Sequence, residues 1–141
     1  MAGQAYAGDI SPFAAWEMLT REVAARLVDV RTQPEWQFVG KPDLSGLGKD
    51  VSFLSWQVYP SMARNEAFVD ELRAAGIGEE TPLLFICRSG ARSRAAAIAA
   101  TAAGFRRCYN VAGGFEGGLD AERHRGVAEG WKAAHLPWSQ E

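Results

Sequence analysis

One stretch of the chain carries residue types that could do covalent chemistry: Cys87-Arg88-Ser89-Gly90-Ala91-Arg92-Ser93. Four apolar residues at 83–86 precede it and read as a buried strand. An alanine-rich run follows it and reads as a helix over 93–103. A loop between a strand and a helix N-terminus points several backbone N–H groups at one spot. Those N–H groups and the helix dipole favour an anion there. A thiol at the mouth of such a spot is expected to lose its proton readily, because the thiolate is the anion being stabilised. Gly90 permits the backbone conformation that a tight ring of amides needs. Arg88, Arg92 and Arg94 supply cations, and Arg92 is best placed to fold back over the loop. Ser89 and Ser93 add hydroxyl donors, unless Ser93 caps the helix instead. The plainer reading makes Cys87 a small hydrophobe at a strand end. Its polar, Arg-rich, Gly-bearing surroundings favour a nucleophile in a cationic cradle.

The elements that must position this loop can be read in order. Residues 1–8 are small and polar and read as a loose arm, with a short strand beginning near Ile10. Ser11-Pro12 signals a helix start, and Phe13, Trp16, Met18, Leu19 and Val23 give that helix its apolar positions. Residues 26–31 read as a strand. Thr32 and Glu35 have capping-box spacing, with Thr32 capping and Glu35 reaching back, ahead of a short helix that stops near Gly40. Residues 41–49 read as a surface loop, 51–56 as a strand, and 61–64 as a connector. Asn65 caps a helix carrying Phe68, Val69 and Leu72, which Gly76 ends. After the central helix, Gly104 is its C-cap, 107–111 reads as a strand, and 113–118 as a Gly-rich turn. The tail from 119 is expected to pack back as a helix with a pinned extended end. Short strands alternating with helices predict an α/β fold, with a parallel central sheet of about five strands and helices on both faces. One domain is expected over 1–141, with its core at about 10–119.

Composition narrows the partners. The chain has 141 residues, 48% hydrophobic and 23% charged, with a formal net charge of -2. It has no basic tail, so neither nucleic acid nor an anionic membrane is an expected partner. The two cysteines, Cys87 and Cys108, allow one disulfide at most, and a reducing compartment is the better expectation. The N-terminus lacks the charged and apolar regions of a signal peptide, so a cytoplasmic location is expected. Cys108 reads as a buried hydrophobe in a strand rather than a resolving thiol. His124 and His135 have no companions at ligand spacing, so no metal site is expected. No cofactor is expected either. Asp29 and Arg31 read as structural, and the 113–118 turn lacks the ending of a phosphate loop.

The residues from Cys87 to Ser93 resemble the active-site loop of the rhodanese-like domain, the single-domain thiosulfate sulfurtransferase family. Leu27-Val28-Asp29-Val30-Arg31 with Glu35, and Asn110-Val111-Ala112-Gly113-Gly114-Phe115, resemble two further motifs of that family, in matching order. The resemblance covers about 10–119. It departs at 40–44, where Gly40-Lys41-Pro42-Asp43-Leu44 replaces the family's usual Gly-His-Ile segment. The resemblance implies that Cys87 accepts a sulfane sulfur as a persulfide. Arg88, Ser89, Gly90, Ala91, Arg92 and Ser93 would then bind the small anionic donor and the product. A thiol or cyanide would be the acceptor, and a protein acceptor is a further possibility.

Two other functions compete with a thiosulfate sulfurtransferase. One is a persulfide carrier that serves a protein partner, with the 131–138 tail as an exposed docking surface. The other is a cysteine-dependent phosphatase or arsenate reductase, but those use five residues between Cys and Arg. Here four residues separate Cys87 from Arg92. The smaller ring suits a single sulfur better than a tetrahedral phosphate.

Overall fold

The apolar run before Cys87 is the middle strand of a parallel sheet. The computed structural model describes residues 5–140. In chain order its elements are β1 (Gly8–Ile10), α1 (Pro12–Arg21), β2 (Arg26–Asp29), β3 (Lys41–Pro42), β4 (Ser52–Phe53), β5 (Gln57–Val58), β6 (Ala63–Arg64), α2 (Phe68–Ala74), β7 (Leu83–Ile86), α3 (Ala91–Ala102), β8 (Cys108–Val111), α4 (Gly130–Ala133) and β9 (Trp138–Ser139). Five of the strands form one sheet in the order β1-β8-β7-β2-β4, and every neighbouring pair is parallel. The α/β class and the strand number agree with the sequence expectation.

Side-chain alternation explains the two layers. Successive residues of a strand point to opposite faces. Leu83, Phe85 and then Cys87 enter one core, with Phe68 and Leu72 of α2 and Ala96, Ala97 and Ala100 of α3. Leu84 and Ile86 enter the other, with Ala15 and Leu19 of α1, Phe115 and Trp131. All four residues of β7 are buried, which is why this strand has no polar face and lies at the centre. The alanines of α3 favour helix and leave room for it to lie close to the sheet.

Several local expectations change. The Ser11 side chain accepts from the Ala14 amide at 3.1 Å with Pro12 as the first helical residue, as expected. Glu35 reaches back as expected, accepting from the Thr32 amide, but Thr32 does not cap: its hydroxyl also donates to Glu35 Oε1, and the turn Glu35–Val39 is π-helical. The strand expected over 51–56 is only Ser52–Phe53, because the chain then turns into the β5–β6 hairpin. Residues 41–49 are not simply surface loop, for Leu44 is 2% exposed and β3 pairs with β9. Residues 5–8 are not a loose arm, since the Ala7 amide donates to Cys108 O at 2.8 Å and β1 begins at Gly8. Residues 1–4 of that arm lie outside the described residues.

The tail packs back through α4 and β9. Trp131 is fully buried, its indole N–H donates to Pro137 O at 2.7 Å, and its ring meets Trp16 edge-on. The expected exposed docking face over 131–138 is therefore corrected: of its two tryptophans only Trp138 is open, at 40% exposure. Trp131→Ala should cost about 3–5 kcal/mol, the usual loss for a buried aromatic. Urea unfolding of the variant against the parent chain checks it.

Candidate active site

The site begins where β7 ends. Parallel sheets of this kind present ligands beyond the C-terminal ends of their strands. Cys87 is the first residue past β7, and α3 starts four residues later at Ala91. Cys87 is only 1% exposed, so its sulfur sits at the bottom of the loop. Gly90 has φ +116°, a conformation that glycine adopts freely, and its amide donates to Cys87 Sγ at 3.1 Å. The first turn of α3 leaves N–H groups without helical acceptors beside the same sulfur.

The carbonyls of the loop turn the other way. Cys87 O accepts from the Phe115 amide at 2.7 Å, and Arg88 O accepts from the Glu116 and Gly117 amides at 3.0 Å. The Gly-rich turn is thus the back support of the loop. Gly114, at φ +63°, lies so close that a Cβ there would stand 2.5 Å from Cys87 O.

The expected loop residues separate into groups. Arg88 and Ser89 are exposed, and Ala91 is exposed at the start of α3. Arg92 folds back, as expected, but it is not a free cation. It forms a bidentate pair with Glu35 at 2.8 and 2.9 Å. Ser93 does not cap the helix. It is buried inside α3, with its Oγ 3.1 Å from Cys87 Sγ and 2.6 Å from Asn110 Oδ1. Arg94 points away, with its guanidinium 5.7 Å from the centre of the Tyr6 ring.

Electrostatics follow from these pairs. Burial raises Glu35, but hydrogen bonds and charge from Arg92, with bonds from Thr32, outweigh it. Its carboxyl therefore lies below the ordinary 4.5. Glu35's hydrogen bonds raise Arg92 further, against the opposing effect of burial and with help from the charges of Glu35, Cys87 and Asp29. Asp29 and Arg31 form a fully buried pair at 2.8 Å, and Arg31 also donates to Gly40 O and lies over Phe115 at 4.3 Å. This pair fastens the end of β2 under the Gly-rich turn, which is a structural task.

A cleft of about 430 Å³ opens beside the loop. It gathers Arg88, Arg92 and Arg125 with Glu35 and Glu116, and Val39, Gln57 and Met62 complete it. Sequence reading missed Arg125, Glu116 and the hairpin residues Gln57 and Met62, because nothing local marks them. Cys108 lies elsewhere. It is opposite Leu83, four residues before Cys87, so the two are roughly 13 Å apart along the strands. Burial pushes its thiol up to about 11. Among the described residues no group of three or more His, Cys, Asp or Glu could hold a metal ion. None of the helices described there is long and apolar enough to cross a membrane.

A cysteine closing a buried parallel strand, a four-residue loop and a helix carrying the returning arginine define a rhodanese-like domain. Residues 7–141 match the model described as the STR4 middle domain, and the chain belongs to that family. It is similar to Rv0390 from M. tuberculosis, whose crystal structure superposes with a TM-score of 0.87 at 50% identity, covering 96% of this chain and 99% of that one. It is 40% identical over 126 residues to uncharacterized protein RC0915 of Rickettsia conorii, covering 88% of this chain and 90% of that protein. It is 32% identical over 109 residues to thiosulfate sulfurtransferase GlpE of Actinobacillus pleuropneumoniae serotype 3, covering 77% and 83%. These likenesses place the chain among proteins of sulfurtransferase type.

The Glu35–Arg92 pair has a testable sign. A carboxyl held below 4.5 stabilises the fold above that pH, and the contribution is lost as pH falls through the lowered value. Glu35→Gln should cost about 1–2 kcal/mol at neutral pH and flatten the acid limb of the stability profile. Denaturant titrations from pH 7 down to acid check this.

Proposed function

We propose that this protein is a sulfurtransferase that moves a sulfane sulfur from thiosulfate to a thiophilic acceptor through a persulfide on Cys87. The observation that carries it is the Gly90 amide on Cys87 Sγ, at the base of a four-residue loop on a helix N-terminus. In the first step the Cys87 thiolate, its proton released to solvent, attacks the outer sulfur of thiosulfate. The S–S bond of the donor breaks, a new S–S bond forms on Cys87, and sulfite leaves with the electron pair. In the second step cyanide or a thiolate attacks the terminal sulfur, and Cys87 departs as thiolate. Splitting one transfer into two displacements is what covalent catalysis does. Donors fixed around the terminal sulfur stabilise the charge that each step develops there.

Arg88 is the unpaired cation of the loop in this reading, and Arg92, tied to Glu35, shapes the ring. Gly90 and the amides at Ala91, Arg92 and Ser93 hold the persulfide, with Ser89 at the rim. A cytoplasmic, reducing setting keeps Cys87 free to be loaded. The chemistry calls for no cofactor, metal, nucleic acid or membrane. The carrier alternative loses the Trp131 part of its docking face, because that ring is buried. A phosphatase needs a general acid, and Glu35 is a poor one while Arg92 holds its carboxyl below the ordinary value.

Thiocyanate formation from thiosulfate and cyanide tests the proposal. Cys87→Ala should abolish turnover and Cys108→Ala should leave it near the parent rate. No turnover by the parent chain would overturn the thiosulfate assignment. Arg88→Ala should raise the thiosulfate KM by roughly tenfold, as expected for one charge-assisted contact, and steady-state kinetics read it directly.

A further inference from the structure

A row of side chains runs from Cys87 to the edge of the sheet. Ser93 Oγ touches both Cys87 Sγ at 3.1 Å and Asn110 Oδ1 at 2.6 Å. Asn110 Nδ2 donates to Asp9 Oδ1 at 3.0 Å, and the Tyr6 hydroxyl donates to the same oxygen at 2.7 Å. Ser93 and Asn110 are buried, whereas Asp9 is exposed. The sheet makes this possible, because β1 and β8 pair with Asp9 opposite Asn110.

The proton positions follow from the far end of the row. The hydrogen bonds from Tyr6 and Asn110 hold the Asp9 carboxyl below its usual value, so at neutral pH it only accepts. Asn110 must therefore turn its NH2 group to Asp9 and its carbonyl to Ser93. That carbonyl also only accepts, and at 2.6 Å it takes the single hydroxyl proton of Ser93. A Ser93 lone pair is what remains for Cys87.

We propose that Asp9 and Asn110 are positioning residues for the nucleophile: they hold the Ser93 proton on Asn110 and present the Ser93 oxygen to Cys87 Sγ as an acceptor. This rests on the reading of Cys87 as the nucleophile. A thiol S–H can donate to that Ser93 lone pair, whereas a thiolate in its place meets it without a proton between them. Gly90 N–H and Arg92 act in the opposite sense from the loop side. An inner sulfur that has formed its S–S bond carries little charge and meets no such penalty. The row thus favours the loaded cysteine over the bare thiolate. The other charged groups around the sulfur are Arg88 in the loop, Glu35 bound to Arg92, and the Asp29–Arg31 pair at the end of β2. Arg94 stands beside Tyr6 and Asp9 at the far end of the row.

The test is the pH dependence of Cys87 alkylation by iodoacetamide, read by intact mass on the full chain carrying Cys108→Ala. Asp9→Asn changes an exposed residue and can offer Asn110 either end of its amide. It should move the profile to lower pH by roughly half a unit to one unit. Asn110→Ala, which removes the acceptor, should move it the same way. With Ser93→Ala already present, Asp9→Asn should produce no further movement. No displacement by either variant with Ser93 present would overturn the proposal. So would an equal displacement by Asp9→Asn with and without Ser93, which would assign the effect to the Asp9 charge acting through space. Alkylation uses no sulfur donor, so failure of the row and failure of the sulfurtransferase reading are told apart.

Discussion

A loop that turns an N–H group inward onto a sulfur must turn carbonyls outward, and buried carbonyls need donors. In this protein the donors are the amides of Phe115, Glu116 and Gly117, which take up Cys87 O and Arg88 O. Everything else at the site depends on that contact. β8 must end beside β7 to deliver the turn, and Gly114 must lack a side chain to let it close. Phe115 is buried in the second core and lies under the Arg31 guanidinium, so the buried Asp29–Arg31 pair clamps the turn from β2. The C-terminal extension completes the clamp, since the Trp131 amide donates to Gly114 O at 2.8 Å and the Lys132 amide to Phe115 O at 3.1 Å.

Charge in the cleft is arranged by pairing rather than by number. Three guanidiniums and two carboxylates meet there, and Glu35 consumes the directional bonds of Arg92. This half-buried bidentate pair acts as a geometric brace more than as a source of net stabilisation. Arg92 is the second residue of α3, so bracing it also fixes the first turn of the helix, where the Ser93 hydroxyl meets the sulfur. Arg88 stands exposed on the outer side of the loop, and Arg125 donates to Gly117 O across the same cleft.

Much of this was legible along the chain. The β7 strand, the loop and α3 are contiguous, and their pattern marks the nucleophile candidate, while strands alternating with helices along the whole chain mark the α/β class. Glu35 was legible as a capping-box residue and as part of a family motif, but not as the partner of Arg92. Its spacing from Thr32 is visible in sequence, but its bond to Arg92 spans 57 positions. Asn110 and Asp9 lie 101 positions apart and meet only because β1 inserts beside β8. Alternation over 51–56 reads as one strand, but it pairs with β2 for only two residues and then gives way to a hairpin. The tail's apolar residues mark it as packing back, yet the depth of Trp131 is not legible, since a tryptophan in a polar segment gives no sign of which core receives it.

The most direct measurement is the intact mass of the protein after incubation with thiosulfate, followed by peptide mapping. The account predicts the gain of one sulfur atom, located on the peptide containing Cys87, absent in Cys87→Ala and discharged by cyanide. An unchanged mass in the parent chain, or a sulfur located on Cys108, would contradict it.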